Sequence, residues 1–112
     1  MEHRDQADIL TVTTTVGTRE DARKLARAIL DARLAACVQV EEGLLSLYRW
    51  QGQLCEDAEV RLTIKTLPSH AQRLQELFAR HHPYELPQFV AWLGQGSRAY
   101  ADWVGGETTS AG

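Results

Sequence analysis

The chain has 112 residues, with 12 lysines and arginines against 15 aspartates and glutamates and a formal net charge of −3. A single domain of that length buries roughly two-thirds of its unfolded surface without help from disulfides, and the acidic balance, free of like-charge runs, argues against phosphate-backbone binding as the main activity. No stretch approaches the ~20 apolar residues of a membrane span, and the polar start MEHRDQAD lacks the pattern of a secretory signal, so a cytoplasmic protein with no nucleic-acid or membrane partner is expected.

β-Branched residues dominate ILTVTTT, residues 9–15, and predict a first strand. Thr18, with Asp21 three residues on, makes a capping-box pattern that opens a helix whose apolar side is Ala22, Leu25, Ala26 and Ile29. After Leu34 the segments AACVQV and LLSLYRW, and then EVRLTIKT beyond QGQ, read as the arms of a β-hairpin turning near Gln51 and Gly52. Ser69 with Gln72, just after Pro68, predicts a second capped helix, continued by Leu74, Leu77 and Phe78 and stopped by Pro83. FVAWL, residues 89–93, is the fourth strand, and Tyr100, Trp103 and Val104 mark a short closing helix. The order β-α-β-β-α-β predicts an α+β, ferredoxin-like sandwich with a long protruding hairpin. One domain is expected over residues 9–104, with residues 1–8 and 105–112 as flexible tails.

Each hairpin arm runs to about a dozen residues, twice the usual strand length of about 5–6. Its distal part is apolar on both sides: Leu45 and Leu47 face one way, Leu44, Tyr48 and Trp50 the other. Helices of this size cannot cover such an arm, so a neighbouring subunit must, with Leu44, Leu47, Tyr48 and Trp50 as the expected interface. If Trp50 pairs with Gln53, one extra residue in the EEG stretch at 41–43 is needed to set Val38 opposite Ile64, which predicts a β-bulge there. The same register places Cys37 beside Lys65, with Gln39, Thr63 and Arg61 on a semi-polar face away from the helices.

Cys37 and Cys55 differ by roughly ten pairing levels, or about 30 Å at 3.3 Å per residue, so they form no intrachain disulfide and suit a reducing compartment. Cys37 reads as a packed small residue or a soft-metal thiolate, and Cys55 as a plain hairpin residue. His81 continues the spacing of Leu74, Leu77 and Phe78 and is expected on the buried stripe, with His82 turned about 100° away. His81 is then a core histidine or a copper or zinc ligand, although it faces the sheet from the side opposite to Cys37. Tyr84 and Glu85, between two prolines, sit in a stiff turn as capping or ligand-facing groups. The sequence contains no paired C-x-x-C, no H-E-x-x-H, no phosphate loop and no G-x-S-x-G elbow, and no second titratable group is placed beside His81 or Tyr84 for acid–base catalysis.

LAACVQV (34–40), YRWQG (48–52), EVRLTIKT (59–66), HPYELP (82–87) and the closing Tyr100 with Trp103 together resemble the CutA divalent-cation tolerance proteins. The resemblance spans nearly the whole chain. It implies a non-enzymatic homotrimer of PII-like architecture, locked by its hairpins and linked to the response to metal ions, with weak binding of copper or another divalent cation and no organic cofactor. Cys37 and His81, with His82 and Glu85 nearby, are the metal candidates it implies, and Thr14 stands where some members carry a further cysteine. The likeness in assembly to PII-type signalling proteins implies an alternative, a small-molecule-sensing module with its ligand in an intersubunit cleft lined by Arg61, Lys65 and Tyr84.

Overall fold

The computed structural model describes residues 5–108. Strand β1 (Gln6–Val16) leads to helix α1 (Arg19–Asp31), the hairpin strands β2 (Cys37–Trp50) and β3 (Gln53–Thr66), helix α2 (Ala71–His81), strand β4 (Val90–Ser97) and helix α3 (Arg98–Gly106). The four strands form one antiparallel sheet in the order β2-β3-β1-β4, the ferredoxin-like arrangement that the element order predicts.

Thr18 caps α1 as expected, its hydroxyl accepting from the Asp21 backbone N–H at 3.0 Å. The expected cap of α2 does not form. Pro68 opens a 3-10 turn over Pro68–His70, the extended position before that turn falls on Leu67, and α2 begins behind His70, which makes no side-chain cap. Ser69 therefore lies inside a helical turn, where its hydroxyl cannot take the geometry of an N-cap. At the ends of the sheet, β1 starts at Gln6 rather than Ile9 and β4 continues to Ser97, because residues 6–8 and 95–97 pair with one another. Those ladder bonds order residues whose own strand preference is weak, and they draw residues 6–8 out of the expected tail; residues 1–4 and 109–112 lie outside the described chain. The C-terminal tail is likewise shortened, since α3 reaches Gly106.

The hairpin has the expected register throughout, with Trp50 opposite Gln53, Val38 opposite Ile64 and Cys37 opposite Lys65. One extra residue enters β2 between Glu41 and Leu44, where Gly43 takes a φ of +83°. This is the bulge, and glycine is suited to that left-handed backbone. At the tip Gln51 and Gly52 both have positive φ, 51° and 79°, as a two-residue turn matched to strand twist requires.

Helices α1 and α2 cover one sheet face, burying Leu25, Ile29, Leu74, Leu77 and Phe78 against Val12, Val16, Leu62 and Ile64. Helix α3 packs on the opposite face at one end, where Val104 and Ala101 meet Ile9. Elsewhere on that second face Val90 and Trp92 stay exposed, as does much of the distal hairpin.

Candidate functional site

The segment after α2 carries most of the chemistry. Helical geometry ends at His81, and His82 turns to φ −75°, ψ 134°, as a residue before proline must. That change of direction reverses the expected histidine roles: His82 folds inward and is only 8% exposed, whereas His81 points to solvent. His81 keeps the helical spacing as the last residue of α2, so periodicity alone does not bury it; the inward place goes to His82, redirected by the extended backbone before Pro83.

His82 is held at both nitrogens. The Tyr84 backbone N–H donates to Nδ1 at 3.1 Å, which leaves Nε2–H to donate to the Thr14 hydroxyl at 2.9 Å. Its ring lies between Phe78 and Tyr84, with centroids 5.4 and 5.2 Å away. Burial lowers its pKa from the ordinary 6.5 and outweighs the opposing hydrogen bond to the Thr15 backbone and the pull of Asp21 and Glu59. A neutral imidazole with both nitrogens engaged has no lone pair to offer a metal.

Tyr84 then reaches across to β3, where its hydroxyl donates to Glu59 Oε2 at 2.5 Å. Glu59 is 9% exposed and pairs with Leu44 just beyond the bulge. Two positions along β3, Asp57 accepts from the Tyr48 hydroxyl. Both tyrosines are kept protonated: burial and then the Glu59 hydrogen bond raise Tyr84, and the hydrogen bond to Asp57 raises Tyr48 to about 12. Between the loop and the hairpin arm lies a groove of about 840 Å³, lined by Thr15, Tyr48, Trp50, Glu59, Tyr84 and Glu85 among others. The sequence reading missed Glu59. Its only signal was a carboxylate facing Leu44 across the hairpin, because its partner comes from a loop 25 residues away.

The other candidates are dispersed. Cys37 is half-buried on the face away from α1 and α2, beside Lys65, whose Nζ donates to Gln39 Oε1 at 3.4 Å. Arg61 pairs with Glu41 at 3.2 Å and lines a second groove of about 410 Å³ that also includes Glu59 and Trp92. Of the three cleft candidates, Tyr84 lines the first groove, Arg61 the second, and Lys65 neither. Among the described residues no three His, Cys, Asp or Glu side chains gather into a metal cage, so Cys37, His81, His82 and Glu85 do not fit a closed metal site within one chain. Leu47, Tyr48 and Trp50 are exposed on the distal arm, with Leu44 half-buried at its base.

Residues 10–107 match the family described as CutA1 divalent ion tolerance protein. Over 94 residues the chain is 44% identical to "Divalent-cation tolerance protein CutA" of Thermus thermophilus, covering 83% of this chain and 91% of that one. It is 34% identical over 105 residues to the protein of the same name in Pectobacterium atrosepticum, covering 93% and 96%. Among solved structures, the divalent cation tolerance protein of Thermus thermophilus superposes with a TM-score of 0.85 at 41% identity, covering 90% of this chain and 99% of that chain.

Proposed function

The chain belongs to the CutA1 divalent ion tolerance family, and on that premise we propose that it acts as a non-enzymatic cytoplasmic homotrimer in the response to divalent cations, binding copper weakly. The distal hairpin carries this reading. Leu45, Leu47, Tyr48, Trp50 and Leu54 are large apolar residues left in water by the single chain, and a monomer does not keep such a two-faced apolar arm. The unpaired edges of β2 and β4 lie on opposite sides of the sheet, which supports closure into a ring by successive copies.

The scattered donors support weak rather than tight metal binding. Cys37 is the soft ligand, half-buried on the face away from α1 and α2, and a second donor has to come from another subunit or from solvent. His82 is reserved for the internal bond to Thr14. Two free cysteines suit a reducing cytoplasm.

Native mass spectrometry of the reduced, untagged protein titrated with Cu(I), Cu(II) and Zn(II) tests assembly and binding together. The expected result is a trimer that takes up copper in a saturable manner, diminished in Cys37→Ser and unchanged in His82→Gln. A monomer at micromolar concentration would overturn the assembly reading, and equal copper uptake by Cys37→Ser would remove the thiolate from the site.

A further inference from the structure

We propose that His70 is a proton-operated latch for the C-terminal end of α3: neutral, it ties the last turn to the entry of α2, and protonated, it lets that turn go while the sheet stays paired. His70 closes the 3-10 turn Pro68–His70 and is only 2% exposed. Its own chain provides that cover, so the arrangement is the same in a monomer and in an assembly. Its Nε2 meets the Thr108 hydroxyl at 3.0 Å, a bond spanning 38 residues. The single hydroxyl hydrogen of Thr108 is directed at the carbonyls of Val104 and Gly105, at 3.0 and 3.2 Å, so the oxygen accepts and Nε2–H donates. Nδ1 then carries a lone pair, buried and without a partner among the described residues.

That geometry tolerates one protonation state. A proton on Nδ1 creates a buried N–H donor with no acceptor and a charge removed from water. The charged groups on the surrounding elements do not offset it. Burial, and then the like charge of Arg73 on the first turn of α2, lower the His70 pKa from 6.5. Asp8 on β1 already accepts from Gln95 Nε2 at 2.6 Å, and Asp102 and Glu107 lie exposed on and just after α3. The ring therefore leaves its site to be protonated, and the Thr108 bond goes with it. Beyond that bond, the end of α3 is held by Val104 on Ile9 and by Gly105 against Leu67, while the Glu107 and Thr108 amides bond back to Trp103 and Gly105. A helix end so held opens locally at lower cost than the four-stranded sheet. Opening uncovers the apolar contact of Val104 with Ile9 at one end of the second sheet face.

The test is amide hydrogen exchange of the whole protein by NMR at pH 7.5 and 5.5, with each rate divided by the intrinsic rate at that pH. With protonation confined to the released ring, the opening constant rises about tenfold between those values, and protection of the Glu107 and Thr108 amides should fall by that factor. His70→Gln keeps an N–H donor toward Thr108 and cannot titrate, so its protection should not change with pH. His82→Gln should leave the fall intact. Thr108→Val provides a second route should His70→Gln misfold: without the hydroxyl, protection should already be low at pH 7.5. A pH-independent parent, a fall that survives in His70→Gln, a fall that disappears in His82→Gln, or parent-level protection in Thr108→Val at pH 7.5 would each overturn the proposal.

Discussion

Strands β2 and β3 pass through two environments, and their apolar residues keep to one side only in the first. In the body of the sheet, Leu62 and Ile64 are 0% exposed beneath α1 and α2; beyond the bulge, Leu47 is 59% and Leu54 is 70% exposed on the same pair of strands. The difference lies in what covers each half. The body finds its apolar partners within the chain, whereas the arm carries apolar residues on both sides and leaves them for another molecule. A long hairpin can thus be a core element at its base and a contact surface at its tip.

Substitutions at the two ends should separate these roles. The largest effect belongs to the body: Leu62→Ala should cost about 2–5 kcal/mol, read by chemical denaturation, with the same loss at every protein concentration. Leu47→Ala should instead act through assembly, so that its thermal midpoint falls further below that of the parent as the protein is diluted. Identical behaviour of the two variants on dilution would erase the distinction.

Next in size is the bond that ties the loop to the body. Thr14→Val removes the hydroxyl that accepts from His82 Nε2–H and leaves only the Thr15 backbone to receive it, at an expected cost of about 0.5–1.5 kcal/mol. The same residue gives a pH dependence. Because the folded pKa of His82 lies below the ordinary 6.5, the unfolded chain binds the proton more readily. The stabilising contribution is therefore complete above about 6.5 and declines as the pH falls from there toward the folded value. His70, likewise lowered by burial and then by the Arg73 charge, acts in the same direction. Denaturation midpoints between pH 7 and 5 should show the decline, and His82→Gln should flatten part of it.

One further effect is expected along the arm. Gly43→Ala meets no atom within 4 Å of the new Cβ, so its cost, about 1 kcal/mol, comes from the left-handed backbone alone.

The sequence made the hairpin legible down to its bulge because alternation and turn chemistry are local: once Trp50 was paired with Gln53, Val38 and Ile64 required the extra residue. The same held for α1, whose cap lies within its own first turn. The misread features depend on distant contacts or on where an element ends. His81 and His82 exchanged roles because a proline stopped the helix one residue before its periodicity could place His82. Glu59 looked like one more alternating charge until Tyr84 arrived from another part of the chain. Ser69 matched a capping pattern, but Pro68 had already set a different entry into α2.

The sheet order also governs what happens while the protein is being made. β1 is synthesised first yet lies between β3 and β4, so both of its ladders stay open until later segments arrive. β2 and β3 are the most local pairing, joined by a two-residue tip, and as an isolated hairpin they are only marginally stable until β3 docks on β1. The second side of β1 waits for Val90–Ser97. Until β4 docks, β1 keeps an unprotected edge over Gln6–Thr13, well suited to pairing with a neighbouring unfolded chain.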